Sequence, residues 1–291
     1  EVGRLARALN TMLERIQAAF RERDATEAEL RRSEARLRRF VADASHELRT
    51  PVAAVAAYAE LFERGASDRP VDLARVMSGI RVETSRMGEL VDDLLLLARL
   101  DEGRPLEQEP VELVAVAAQA VDAAVAVGPG WPVRLEAGRP VEVLGDAARL
   151  RQVLDNLLGN VRAHTPEGTS VAVRVSSEEN GAQVAVSDDG PGMTEDEASH
   201  VFERFYRVDQ SRSRQHGGAG LGLAIVAAIV KSHGGDVTAS ASPGAGATFT
   251  VRLPLAHVPD DDQVEAVSPY ARPAPGDESG DGEPRISRSA T

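Results

Sequence analysis

Phe40-Val41-Ala42-Asp43-Ala44-Ser45-His46-Glu47-Leu48-Arg49-Thr50-Pro51 is the stretch from which the rest of the chain can be read. Apolar residues recur at Leu37, Phe40, Ala44, Leu48, Val52, Val55, Ala59 and Phe62, in steps of three and four that define one helix face. His46 stands two residues from Ala44, about 200° round a helix of roughly 3.6 residues per turn, so its imidazole is predicted to face solvent. Glu47 adjoins it, and Thr50 lies one turn further along the same side. A solvent-facing histidine beside a carboxylate has the makings of a nucleophile with its base. Taken alone, a helical histidine is more often surface decoration, and only the second half of the chain tips the balance.

Outward from this stretch, residues 26–64 are predicted as one helix, a rod on the order of 58 Å. Pro51 removes a backbone hydrogen bond and is expected to bend it one turn after His46. Residues 1–25 read as a charged helix leading into it, with Val2, Leu5, Leu9, Met12, Leu13 and Ile16 on one side. Gly65-Ala66-Ser67-Asp68-Arg69-Pro70 is a turn. A second helix follows from about Asp72 to Leu100, with Leu73, Val76, Ile80, Met87, Leu90, Leu94 and Leu97 as its apolar stripe. Two such stripes with a short connection predict an antiparallel helical hairpin. One hairpin leaves much of its stripe wet, so two copies are expected to pair as a four-helix bundle; the competing reading packs the stripes on the other domain.

Composition narrows the chemistry. Aromatics make up 3% of the 291 residues, so the core must be aliphatic. The formal net charge of -13 argues against a nucleic-acid surface. There are no cysteines, which excludes disulfides, thiolate metal sites and a cysteine nucleophile. The single lysine, Lys231, leaves neither a Walker-type P-loop nor a eukaryotic-type kinase lysine. No run of 18 apolar residues is present, so no membrane-spanning helix is expected. The chain starts at Glu1 without a methionine or a signal peptide, and is read as the soluble part of a longer protein.

Residues 103–110 read as a linker. Beyond it, Leu113–Ala126 is a predicted helix, and Pro132–Glu136 and Val141–Leu144 are short strands. Asp146 is placed to N-cap a helix running to about Ala163. Val171–Val175 and Ala182–Val186 alternate as strands about the turn Glu179-Asn180-Gly181. Residues 189–219 read as loop, Leu221 to about Ser232 as a helix, and Asp236–Ala241 with Ala247–Leu253 as a hairpin. Blocks of helices and mostly antiparallel strands predict an α+β sandwich. From His257 onward the pattern is lost, and residues 257–291 are expected to form an acidic disordered tail.

Four clusters in this second half suit a nucleotide. Asn156-Leu157-Leu158-Gly159-Asn160 sets two amides at i and i+4 on one helix side, fit for a Mg²⁺ that keeps mostly water and phosphate ligands. In Val184-Ala185-Val186-Ser187-Asp188-Asp189-Gly190-Pro191-Gly192 a strand ends in a carboxylate, an acceptor that selects a donor such as an adenine amino group, and two glycines permit close approach. Gly217-Gly218-Ala219-Gly220-Leu221-Gly222 opens an apolar helix whose free N–H groups suit phosphate. Gly244-Ala245-Gly246-Ala247-Thr248-Phe249 is a glycine turn entering a strand. Each has a bland alternative: a common helical Asn pair, an Asp-Gly turn, a plain helix start.

The order and spacing of all four, downstream of the His46 helix, resemble the bacterial sensor histidine kinases of two-component signalling. Ser45–Pro51 resembles the family's phosphoacceptor box, Asn156–Thr165 its asparagine box, Val201–Arg207 its phenylalanine box and the glycine clusters its glycine boxes. Glu1–Met12 resembles the second helix of a HAMP signal-relay linker, which in that family follows a transmembrane helix. The resemblance covers about residues 1–255. It implies a HAMP-like end at 1–25, a dimerisation and phosphoacceptor hairpin at 26–102, and a catalytic ATP-binding α/β sandwich at 111–256.

By the same resemblance His46 is phosphorylated, Glu47 orients or deprotonates it, and Thr50 serves dephosphorylation of a partner. Asn156 and Asn160 hold Mg²⁺ and phosphates, and Asp188 takes the adenine amino group. Gly190, Gly192, Gly218, Gly220, Leu221, Gly222 and Thr248 shape the nucleotide pocket. Tyr206 and Arg207 belong to the lid. His164 also falls in the nucleotide site, where the family commonly has tyrosine. Ala163 stands where a lysine or arginine is usual, which shifts the basic contact to Arg207 or Arg212. The implied activity is transfer from Mg-ATP to His46 and on to an aspartate of a response-regulator receiver domain, by a homodimer. The implied parent protein is anchored in a bacterial membrane through an upstream segment, with this portion in the cytoplasm. The rival is a catalytically silent nucleotide-binding dimeric scaffold of the same fold.

Overall fold

The computed structural model of the chain describes residues 2–65, 69–103, 106–178, 181–207 and 219–255. The tail expected at 257–291 lies outside these, as do Arg212, Gly217 and Gly218.

Two long helices come first, α1 (Val2–Glu63) and α2 (Pro70–Asp101), packed on each other. Helix α1 is continuous across residue 25 and stays helical through Pro51. Helix α2 starts on Pro70, two residues before the predicted start, because proline is pre-set for the first helical turn. Ala44, Val76, Leu90 and Leu97 are buried, whereas Leu37, Val52 and Phe62 on the α1 stripe are 61%, 50% and 44% exposed. One hairpin therefore covers only part of the apolar face that the periodicity defines.

The remainder is an α/β sandwich. Its elements are β1 (Glu109–Glu112), α3 (Leu113–Val127), β2 (Val133–Ala137), β3 (Glu142–Gly145), α4 (Ala147–His164), β4 (Val171–Glu178), β5 (Gly181–Asp188), α5 (Glu195–His200), α6 (Gly222–Ser232), β6 (Asp236–Ala241) and β7 (Ala247–Leu253). Five strands form one sheet in the order β2-β4-β5-β7-β6, antiparallel except for the parallel β2–β4 pair. Helices α3, α4 and α6 pack on it and on one another. Strand alternation sets the inner face: Val171, Val173 and Val175 on β4, and Ala247, Phe249, Val251 and Leu253 on β7, are buried. Leu154, Leu157, Val161, Ile225 and Ile229 meet them from the helices.

Two segments differ from expectation. Glu109 and Pro110, read as the end of a linker, belong to β1, which pairs antiparallel with β3 as a separate two-stranded sheet. A proline is tolerated there because the strand has only one partner. Within the loop-rich 189–219, Glu195–His200 forms α5, held by a reciprocal capping box of Thr194 and Glu197. That Thr-x-x-Glu signal is present in the sequence, but no apolar period follows it.

The hairpin and the sandwich meet at the foot of α2. Arg204 Nη2 donates to both carboxylate oxygens of Asp101, at 2.7 and 2.8 Å. The same guanidinium lies over the Phe40 ring, 5.2 Å from its centroid, and Phe40 also meets Phe205 with centroids 6.2 Å apart.

Candidate functional site

Helix α4 starts where Asp146 accepts the Arg149 N–H at 3.0 Å, the N-cap its sequence anticipates. Its buried stripe Leu150, Val153, Leu154, Leu157, Leu158 and Val161 faces the core. Asn156 and Asn160 are left half-buried at the rim. Asn156 Nδ2 donates to the Gly222 carbonyl at 3.1 Å, which ties the asparagine helix to the first turn of α6. Helix α6 has no side-chain N-cap; Leu221 precedes it with helical backbone angles. Its first N–H groups therefore receive no cap from the Leu221 side chain, the arrangement that favours an anion.

Asp188 ends β5, half-buried, beside the β7 start: Asp188 pairs with Ala247 and Ser187 with Thr248. Its Oδ1 accepts the Gly190 N–H at 2.9 Å. Burial pushes its carboxyl above the ordinary value, and hydrogen bonds from the Gly190 and Ala247 backbones oppose that. Thr248 Oγ1 donates to Ser187 Oγ at 2.9 Å, at the mouth of the same strand pair. Thr165, just past α4, closes the floor: a Cβ on Gly190 would sit 2.7 Å from its Cγ2. Thr165 Oγ1 also takes the Trp131 indole N–H at 3.0 Å.

The two glycine turns cross so tightly that side chains are barred. Gly192 has φ +66, and a Cβ there would strike the Ser242 carbonyl oxygen; Gly246 has φ +79, and a Cβ there would strike the Asp188 carbonyl oxygen. Both conditions, left-handed backbone and absent space, select glycine. Gly246→Ala is accordingly expected to cost roughly 1–3 kcal/mol from the left-handed backbone alone, with the clash added, and to weaken nucleotide binding. Urea denaturation and ATP titration of the variant measure both.

The last group comes from the segment after α5. Phe205 has φ +61, and its N–H donates to the Gly220 carbonyl at 2.9 Å. Gly220, φ +75, abuts the Tyr206 carbonyl oxygen at 3.0 Å measured from an added Cβ. Tyr206 stacks on His200, centroids 5.8 Å apart. Arg207 Nη2 is buried with no hydrogen-bond partner among the described residues. His164, at the end of α4, lies within the field of Arg207: loss of solvent first, then that positive charge, lowers its pKa. The contacts thus join Asn156 to the start of α6, Asp188 through Gly190 to Thr165 at the end of α4, and His164 to the field of Arg207, and these groups make up the candidate cleft. His46, Glu47 and Thr50 stand apart on α1, His46 and Thr50 exposed and Glu47 half-buried. Gly218 lies outside the described residues. In the sequence Thr165 and Arg204 stand only as members of the asparagine and phenylalanine boxes, with no role of their own, and Trp131, whose indole N–H reaches Thr165, stands in no local pattern.

This geometry is that of a histidine-kinase-type ATPase domain joined to a phosphoacceptor hairpin. The comparisons agree: the His Kinase A (phospho-acceptor) domain family matches residues 36–103, and the family of histidine kinase-, DNA gyrase B- and HSP90-like ATPases matches residues 145–257. The chain belongs to the two-component sensor histidine kinases. It is 52% identical over 257 residues to the probable sensor histidine kinase TcrY of Mycobacterium tuberculosis, covering 88% of this chain and 52% of TcrY. It is 42% identical over 261 residues to the sensor histidine kinase TrcS of the same organism, covering 88% of this chain and 50% of TrcS. The chain thus spans about half the length of these relatives. Among solved structures, ShkA in complex with AMPPNP superposes with a TM-score of 0.57 at 28% identity, covering 72% of this chain and 44% of ShkA. No described helix is long and apolar enough to cross a membrane.

Proposed function

We propose that the chain transfers the γ-phosphoryl group of ATP to an imidazole nitrogen of His46, releasing ADP, and passes it to an aspartate of a response-regulator receiver domain. The observation that carries the nucleotide half of this reading is the buried Nη2 of Arg207, without a hydrogen-bond partner among the described residues, on the segment whose Phe205 N–H reaches the Gly220 carbonyl just before α6. A buried guanidinium donor without an acceptor is costly, and an anionic phosphate at the cleft supplies one. Asp188 is the acceptor for the adenine amino group. Asn156 and Asn160 present amide oxygens that fit Mg²⁺, which when bound neutralises charge on the phosphates. Ala163 offers no cation, and Arg207 takes the role of the missing basic residue.

His46 is the nucleophile. Glu47 holds or removes one ring proton, which leaves the other nitrogen's lone pair free to attack. Catalysis is then positioning and charge neutralisation. The stripe left exposed at Leu37, Val52 and Phe62 supports pairing of two hairpins into a four-helix bundle. The likeness of Glu1–Met12 to a HAMP linker supports a membrane-anchored parent with this portion in the cytoplasm. Incubation with γ-labelled ATP tests the reading: label that is acid-labile and alkali-stable is expected. A chain that binds ATP but never takes up label would favour the silent scaffold.

Thr50 carries a second, separable prediction. It is exposed one turn from His46, about 5–6 Å away between Cβ atoms, and would orient a water toward the phosphoaspartate of a docked regulator. Thr50→Ala is expected to keep most autophosphorylation yet lose most regulator dephosphorylation. Decay of purified phosphorylated regulator, with ADP present, reads this; clearance as fast as wild type would leave Thr50 a local backbone role only.

A further inference from the structure

His233 is the only buried histidine among the described residues, 6% exposed, and nothing in the transfer chemistry uses it. Its Nδ1 lies 2.8 Å from the Ile229 carbonyl oxygen. A carbonyl only accepts, so Nδ1 carries the proton. Nε2 therefore presents a lone pair, and it accepts the Asp146 N–H at 3.0 Å. This assigns a neutral ring with both nitrogens satisfied inside the fold. The ring lies so close to Gly145 that a Cβ there would fall 2.5 Å from its Cδ2.

The two residues joined by this bond mark the distant ends of the two site helices. Asp146 is the N-cap of α4 and His233 the C-cap of α6. Midway along α4, Asn156 Nδ2 donates to the carbonyl of Gly222, the first residue of α6. Asp146 to Asn156 is ten residues, about 15 Å along an axis, and His233 back to Gly222 is eleven, about 16 Å. The first half of α4 and the whole of α6, antiparallel stretches of nearly equal length, are thus pinned at both of their ends. With the far pin lost, the Asn156 bond is the hydrogen bond described between α4 and α6 that still opposes sliding of one along the other, and a slip of one residue moves the amides by about 1.5 Å.

We infer that His233 is a positioning residue for the nucleotide site: through its Nε2 bond to Asp146 it sets the axial register of α4 on α6, and so the place of Asn156 and Asn160 at the α6 N-terminus. This rests on the reading of that cleft as the ATP site. Isosteric replacements separate the two ring nitrogens. His233→Asn keeps a donor at the Nδ1 position for the Ile229 carbonyl but has no atom at Nε2. His233→Gln places an amide oxygen near Nε2. Gly145→Ala leaves the histidine in the chain and displaces its ring.

The test measures ATP affinity by calorimetry on the whole chain, with amide hydrogen exchange at Asp146 and at Gly222–Leu223 in the absence of nucleotide. The Asn and Gly145→Ala variants are expected to bind ATP roughly tenfold more weakly, the equivalent of one buried hydrogen bond. They should also exchange faster at both places. The Gln variant should return within about twofold of wild type by the same scale. The inference is overturned if the Asn variant binds as tightly as wild type, if Asn and Gln lose equally, or if the Asn variant no longer folds, which would assign His233 to general stability. Wild-type chain that binds no ATP would instead defeat the reading of the cleft. The exchange at Gly222–Leu223 would then decide the register role by itself, rising in the Asn variant and not in the Gln variant if it is correct.

Discussion

His46→Gln is expected to abolish incorporation of label from γ-labelled ATP while ATP affinity stays within about twofold of wild type, a shift well under the 1.4 kcal/mol of a tenfold change. The expectation follows from placement. His46 is exposed on α1, whereas the residues gathered around the cleft come from α4, β5, the segment before α6 and the start of α6. The neighbours that do pack, buried Ala44 and half-buried Leu48, are untouched, and glutamine suits a helix. Removing the only group proposed to form the phosphoramidate therefore eliminates the product without disturbing the nucleotide. Persistent acid-labile label on the variant would move the acceptor to another histidine. The alternative among the cleft residues is His164, and mapping the labelled peptide would identify it.

Asp188→Asn is expected to weaken ATP binding by at least ~10-fold, the cost of one charge-assisted hydrogen bond of about 1.5–3 kcal/mol. Inorganic triphosphate, which has no base, should lose much less. The physical difference is acceptor character: a carboxylate offers only lone pairs to an amino group, whereas an amide can turn a donor toward it. The apo protein should respond in the opposite direction. Burial raises the Asp188 carboxyl above its ordinary value of 3.8, so between that value and the folded one the native state binds more protons than the unfolded state. Stability contributed by this group is then fully present below pH 3.8 and declines as pH rises through the folded value. The asparagine variant removes that decline, and its nucleotide-free melting temperature near neutral pH should equal or exceed that of wild type. Equal losses for ATP and triphosphate would refute the adenine contact; a lower apo melting temperature would show that Asp188 is retained for stability and not for the ligand.

Local chemistry carried most of the elements. The steps of three and four through Phe40, Ala44 and Leu48 define the α1 face, Asp146 marks the start of α4, and period-two alternation marks β4 and β7, all from residues within a few positions of one another. The same locality makes the four glycine, asparagine and aspartate clusters legible in the sequence. What periodicity could not supply was partnership. The parallel pairing of β2 with β4, and the use of Glu109–Glu112 as a strand against β3, depend on backbone bonds to distant segments. The reason Gly192 and Gly246 must be glycine is the carbonyl each would strike, Ser242 and Asp188, across a crossing of two loops. Arg204 finds Asp101 across 103 positions, and His233 finds Asp146 across 87. Such bonds are selected by closure of the whole core, where burial of Leu157, Ile225 and Phe249 offsets the chain entropy of bringing remote residues together. Residue types along the chain set which groups can bind, cap and attack; packing selects which of them face one another, because a hydrogen bond needs two groups within about 3 Å and only the assembled helices and sheet bring them that close.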